Sequence, residues 1–496
     1  MKKVFVLWPL FVALVLATSS CVVQQNPVSG NKRAFAYSWD QEIEIGTEVD
    51  KEISAQYGIY EDAGLESYVT NLGEILLEES HMRREGTPEK FKNTEFIFRV
   101  LNSPVVNAFA LPGGYVYVTR GLLAHLNNEA QLAVVLGHEI GHVAGRHASQ
   151  RALSQTIGQV AVIGGSILGQ ELLGLPGESL MNLSGQAAQL LFLSYSREHE
   201  RESDALGVEY SAMSGYDAAE GAAFFTSLKR ISEKAGQTIP SLLSSHPDPG
   251  ERESNIPKMA NEWKQQGYDQ TIKDWEEYFE RIDGIIYGEN PREGFVNNGV
   301  FVHPDLEFQF PVPSGWQVIN QPSQVVAVSP EEDAVIIFRI DGNSSTAKAS
   351  VDEFTSQEGM TINEQSSTQS SGEWPAYYAD VTVQDEQQNI GLLVFAVEMD
   401  GRVYRFINYT TEGKYDAIRP QFENTSSSFD KLTDPELLQI NPVRLQTETV
   451  NRTDQFRNFL PSNLPMDIDP EEIAIVNQVT LDDEIQSGTK IKLPRQ

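Results

Sequence analysis

His138-Glu139-Ile140-Gly141-His142 places two imidazoles four residues apart with a carboxylate between them. On a helix this spacing offsets the histidines by about 40° and one turn of rise, so both rings can reach one metal ion. Glu139 projects about 100° from His138, close enough to hold a metal-bound water without being a ligand. The pattern therefore predicts metal-assisted hydrolysis with one Zn2+ per chain and Glu139 as general base. Catalytic zinc takes three protein ligands and leaves a place for water, so a third ligand must come from elsewhere.

Gly145 and His147 invite comparison with the extended three-histidine zinc motif. That motif needs its last histidine six positions after the second, and His147 is five after His142, about 100° out of register. His147 is expected at the surface or behind the ligands. The better source is the acidic stretch 196–207, whose composition favours a helix. Of its three glutamates only Glu200 has an aspartate four positions on, so Asp204 stands one turn away, able to accept the second N–H of a ligand histidine. Glu198 and Glu202 are expected on the solvated face, and His199 points away from the Glu200 face.

These residues need rigid elements. Asn128 is placed to cap the histidine helix, with Gln131 three positions on and Leu132, Val135 and Leu136 as its apolar face. Apolar residues at helical spacing in 43–57 and 65–77 predict two helices before it. Between them and the site, Phe96, Phe98 and Val100 alternate, and residues 107–118 read as two extended halves around Gly113-Gly114. Residues 157–168 are apolar and glycine-containing, expected as core or as a cover rather than a membrane span. After Gly294 short strand-like runs separated by Ser/Thr/Gln-rich turns, as at 366–372, predict an antiparallel sheet closed by a helix near Tyr415 to Phe429. Residues 447–494 read as strand, helix, helix, strand and resemble a degenerate LysM module, which implies peptidoglycan as a partner.

The expected fold class is multidomain α+β. A signal peptide of lipoprotein type occupies 1–20 and a mainly helical zincin-type peptidase domain with a small sheet 21–290. A β-rich α+β domain, faintly similar to PsbP-like modules, takes 295–432, and the LysM-like unit 440–496. Both C-terminal units are expected to be separable targeting modules. Lys2, Lys3 and an apolar run ending in small residues before Cys21 predict export. Cys21 is the only cysteine, so it is the expected acylation site and the mature chain has no internal disulfide. The expected location is the periplasm, with a lipid anchor at the outer membrane. With 70 acidic against 37 basic residues the chain carries a formal charge of −33, which repels phosphate backbones and argues against nucleic-acid partners.

The sequence resembles peptidase family M48, the gluzincins that include HtpX and the CAAX prenyl proteases, especially its exported BepA-like branch. The resemblance runs over about residues 40–259. It rests on His138-Glu-Ile-Gly-His142-Val-Ala-Gly-Arg-His147, Glu200-x-x-x-Asp204, Asn107-Ala-Phe-Ala-Leu-Pro-Gly-Gly114 and His246-Pro-Asp-Pro-Gly-Glu-Arg252. It implies that His138, His142 and Glu200 bind zinc. It also implies that Asn107, Ala108, Phe109 and Ala110 form an edge strand along which a peptide lies extended. Unfolded or misassembled envelope proteins are then the expected substrates. Two prolines and a glycine predict an extended loop around His246, and the resemblance puts it near the metal with Arg252 as anchor. Three fates are open for His246: an idle surface residue, a donor to the reaction's oxyanion, or a displaceable fourth zinc ligand. Two rival readings of the whole chain are an assembly factor with incidental proteolysis and a cell-wall protein cutting stem peptides.

Overall fold

The computed structural model describes residues 21–162, 195–235, 242, 246, 249–384 and 389–496, a multidomain mixture of helices and sheets. After Cys21, which is exposed, the chain forms a hairpin of β1 (Val22–Gln25) and β2 (Lys32–Phe35). Ser38 and Gln41 then cap α1 (Trp39–Tyr57) reciprocally, each side chain accepting from the other's backbone N–H. Asp62 caps α2 (Ala63–Glu79) by accepting from Leu65 N. Val49 and Ile53 on α1, and Leu65, Leu72 and Leu76 on α2, form the inward stripes that the spacing predicts.

A three-stranded sheet follows, in the order β3 (Ile97–Leu101), β5 (Tyr115–Thr119), β4 (Ala108–Leu111). Gly113 and Gly114, at φ +83° and +106°, make the turn between β4 and β5, which pair antiparallel with Ala108 opposite Val118. β3 joins β5 in parallel, leaving β4 at the sheet edge.

From β5 the chain passes through α3 (Arg120–His125) into α4 (Glu129–Gly145), the helix of the two histidines. Asn128 Oδ1 accepts from Gln131 N as expected, but the Gln131 side chain turns to Asn127 N instead of closing the box on Asn128. Every residue of α4 is buried, so its neighbours must come close. After α5 (His147–Val162), the helix α6 (Arg197–Met213) crosses α4 at glycines: a methyl on Gly207 would lie 2.8 Å from His138 N, and one on Gly137 3.0 Å from Gly207 O. Backbones can meet there only because side chains are absent, and this crossing brings Glu200 to the histidines.

The helices α7 (Gly221–Ala235) and α8 (Pro249–Gln265) pack against each other, α8 also against α6. The stretch expected as an extended loop around His246 is shorter than that, because Pro249 to Arg252 already belong to α8. Proline suits a first helical turn, where its missing N–H has no partner to lose. Residues 163–168 of the apolar stretch 157–168, and all of 1–20, lie outside the described residues. Among the described residues no helix is long and apolar enough to cross a membrane.

α9 (Trp275–Ile282) and β6 (Ile285–Ile286) lead into the β-rich part. A four-stranded sheet runs β17 (Asp430–Lys431), β9 (Phe308–Pro311), β8 (Val300–His303), β7 (Phe295–Asn297). A seven-stranded antiparallel sheet runs β10 (Gln317–Gln321), β11 (Gln324–Val328), β12 (Ala334–Asp341), β16 (Arg402–Thr411), β15 (Ile390–Met399), β14 (Pro375–Val383), β13 (Met360–Gln369). Alternation splits its two faces: Ile336, Phe338 and Phe406 pack with α11 (Glu412–Ser427), while Val335, Ile337 and Ile407 pack with α10 (Ala347–Thr355). α11 is the predicted closing helix. Residues 366–369, expected in a turn, belong instead to β13, with Ser366 opposite Tyr378 and Thr368 opposite Ala376. Pairing with β14 overrides the weak strand propensity of Ser and Gln.

The C-terminal unit has β18 (Arg444–Thr449), a 3₁₀ turn at Phe456–Phe459, α12 (Pro470–Val476) and β21 (Lys490–Arg495), with a short pair β19 (Asp454–Gln455) and β20 (Glu484–Ile485). β18 lies between β21 and β6, so this sheet takes one strand from the end of the helical part. Lys492 is fully buried and its Nζ donates to Ala124 O at 2.7 Å and Leu126 O at 2.8 Å, carbonyls at the C-terminal end of α3.

Candidate metal centre

His138 and His142 come from α4, Glu200 from the first turn of α6, and His246 from just before α8. One donor atom of each lies within 4.8 Å of all the others, and all four residues are buried. His142 Nε2 is 3.0 Å from His138 Nε2, and Glu200 oxygens stand 3.4 Å from the His142 nitrogen and 3.6 Å from that of His138. His246 Nδ1 lies 3.2 Å from His138 Nε2 and 3.1 Å from Glu200 Oε2. A tetrahedron with Zn–N bonds of roughly 2.0–2.1 Å has donor–donor edges of about 3.3 Å, the same scale as these separations. Lone pairs facing one another in a buried space repel, and a cation among them removes the repulsion, so the donor set fits zinc.

Around the donors each contact has a direction. His138 Nδ1 lies 2.9 Å from Asp204 Oδ1. Arg252 donates from Nε to Asp204 Oδ2 at 2.8 Å, from Nη1 to His246 O at 3.3 Å, and from Nη2 to Glu200 Oε2. It thus ties the carboxylates of α6 to the His246 backbone. Glu139 is 1% exposed, its Oε1 is 3.7 Å from His246 Nε2, and its Oε2 has no hydrogen-bond partner among the described residues.

Burial pushes the Glu139 carboxyl above the usual range, opposed in part by His246 and His138. Burial would raise Glu200 as well, but His246 and the hydrogen bond with His142 outweigh it and hold that carboxyl well below the usual range. His142 is driven well below an ordinary histidine by burial, which favours the neutral ring that binds metal. One carboxyl of the site is therefore shifted toward holding a proton and the other toward remaining ionised.

One expectation needs correction, and two that left alternatives open are narrowed. Glu202 is not a solvated bystander: its Oε2 lies 3.1 Å from His147 Nε2. Of the two places expected for His147, the structure takes the one behind the ligands: it is fully buried, with Nδ1 3.0 Å from His142 Nδ1. His246 is 1% exposed, which removes the surface fate left open for it. Glu198 is exposed, as expected, and His199 stacks on the His147 ring away from the donors. Sequence reasoning missed Tyr195, whose ring stacks on His142 at 4.0 Å and lies under the Arg151 guanidinium at 4.7 Å. Nothing in its type or spacing distinguishes it from other tyrosines. Asn107 precedes β4, and Ala108, Phe109 and Ala110 lie in this edge strand, which packs against α4. Asn107 Oδ1 is buried without a hydrogen-bond partner among the described residues.

Residues 79–260 match the model of peptidase family M48. The Beta-barrel assembly-enhancing protease of Yersinia pestis is 30% identical over 242 residues, 48% of this chain and 48% of that protein. The mitochondrial metalloendopeptidase OMA1 of Arabidopsis thaliana is 33% identical over 162 residues, 33% of this chain and 31% of its own. The chain thus spans about half the length, or less, of these relatives. A solved structure of cyanobacterial PsbP from Synechocystis sp. PCC 6803 is similar over 28% of this chain and 96% of its own, at 19% identity and a TM-score of 0.23. The stretch 79–260 that is similar to peptidase family M48 contains all four clustered donors together with Glu139, Asp204 and Arg252.

Proposed function

We propose that the chain is a zinc-dependent endopeptidase acting on unfolded or misassembled proteins of the cell envelope. The observation that carries this reading is the buried His138, His142, Glu200, His246 donor set with Glu139 beside it, its Oε2 without a hydrogen-bond partner among the described residues. His138, His142 and Glu200 would hold the metal. A zinc ion held there supplies a polarised water and a Lewis acid for the scissile carbonyl. Glu139 takes the proton of the attacking water and passes it to the leaving amine, a role suited to a carboxyl whose proton affinity burial has raised. β4 offers its edge to an extended peptide, and Asn107 Oδ1 offers an acceptor to a peptide N–H. Recognition through main-chain atoms discriminates little between sequences, which suits unfolded substrates. The envelope assignment draws on the export signal read from residues 1–20 and on the similarity to the bacterial protease.

Glu139→Gln tests the proposal. It should keep about one zinc per chain while casein cleavage falls by about 10²- to 10⁴-fold, since the base is lost and the donors are kept. Comparable cleavage by the variant would reject the site. A wild-type chain that binds zinc but cleaves nothing would favour the assembly-factor reading.

A further inference from the structure

We infer that His147 and Glu202 form a relay that fixes the His142 ring from behind, which makes His147 a positioning residue of the metal centre; this rests on the zinc reading above. His142 and His147 face each other through their Nδ1 atoms at 3.0 Å. At that distance one nitrogen must donate and the other accept. A metal on His142 Nε2 leaves the proton on Nδ1, so His142 donates and His147 Nδ1 accepts. The His147 proton then sits on Nε2, 3.1 Å from Glu202 Oε2. The carboxylate at the far end thereby sets both tautomers.

The backbone is shaped for this contact. α4 stops at Gly145, and Arg146 takes the left-handed conformation at φ +58° and ψ +39°, which folds His147 back over the last turn of the helix. A methyl on Gly145 would come within 2.3 Å of His147 Nε2, so only glycine leaves room for the ring. His199 stacks on His147 at 4.3 Å and 12° between planes, and Ser203 Oγ lies 3.2 Å from its Nδ1. With these contacts α6 serves the centre three times. Glu200 is a donor, Asp204 stands directly against His138, and Glu202 reaches His142 through an intervening ring.

Zinc affinity, measured on the full mature chain by competition with a chromophoric chelator, tests the relay. His147→Phe, which has no acceptor, should weaken zinc binding by about 10- to 100-fold. His147→Asn, whose amide oxygen can take the place of Nδ1, should restore most of that loss. Glu202→Ala should weaken binding in the wild-type background and add nothing in the His147→Phe background, because the link is already cut. Losses that add in the double variant, or wild-type affinity in His147→Phe, would overturn the proposal. The Glu202 side chain is 31% exposed, so Glu202→Ala probes the relay even where a His147 variant does not fold, and unchanged zinc affinity in that variant alone would also overturn it. A wild-type chain that takes up no zinc would reject the metal-centre reading instead.

Discussion

Glu200 and Glu198 sit two residues apart on α6, yet Glu200 is 3% exposed among the donors and Glu198 faces solvent. On the proposed reading Glu200→Ala abolishes tight zinc binding, Glu198→Ala leaves it unchanged, and Asp204→Ala weakens it by roughly 10- to 100-fold. Metal titration of the three variants ranks them, and a loss at Glu198 equal to that at Glu200 would contradict the ligand set. His246 separates in a different experiment. Its Nδ1 lies as close to the other donors as they lie to one another, which favours a closing fourth ligand over an oxyanion donor. His246→Ala should then speed zinc exchange while turnover holds or rises. A fall in kcat of about 10²- to 10³-fold with zinc retained would instead assign it to the oxyanion.

Asp50 on α1 joins three elements. Its carboxylate accepts from Arg99 Nε and Nη2 on β3 at 2.7 and 2.8 Å, and from Tyr117 Oη on β5 at 2.7 Å. Burial would raise its pKa, but the hydrogen bonds from Arg99 and Tyr117 outweigh it and hold the carboxyl below the ordinary aspartate value. A folded-state pKa below the unfolded one contributes stability above the unfolded value, about 3.9, and loses it as the pH falls through the folded value. Asp50→Asn should therefore destabilise the chain by about 1–3 kcal/mol at pH 7, with the difference shrinking below about pH 4. Urea titrations of both proteins at several pH values check the sign. A difference that grows on acidification would show that Asp50 is not the anionic partner of Arg99 and Tyr117.

Across the whole molecule, the end of the chain is built into the helical part. β18 pairs with β6, Lys492 closes the end of α3, and Asn127 Nδ2 donates to Asn477 O at 2.9 Å beside the cap of α4. Arg230 on α7 donates to Val479 O and pairs with Glu471. These contacts oppose the separability expected from composition. Truncation after Gly294 should give a chain that is insoluble or binds no zinc, read by solubility and metal content. Lys492→Ala in the full chain should cost about 2–4 kcal/mol, because the Ala124 and Leu126 carbonyls are left buried without a donor. A soluble, zinc-loaded truncation would show that the C-terminal unit is an accessory after all.

What the sequence determined by itself was local or periodic. The His138–His142 spacing, the Glu200–Asp204 step, the Asn128 cap and the Gly113-Gly114 turn each depend on residues within a helical turn or a hairpin, where backbone geometry alone sets the outcome. Tertiary structure decided the rest. Continuous helix geometry puts His147 out of phase with His142, and only the left-handed turn at Arg146 brings the two rings together. Glu202 then gains a partner 55 residues away, and Lys492 finds carbonyls 368 and 366 residues away. No spacing rule reaches that far, because such contacts exist only after packing has brought distant segments together and the desolvated groups must be satisfied.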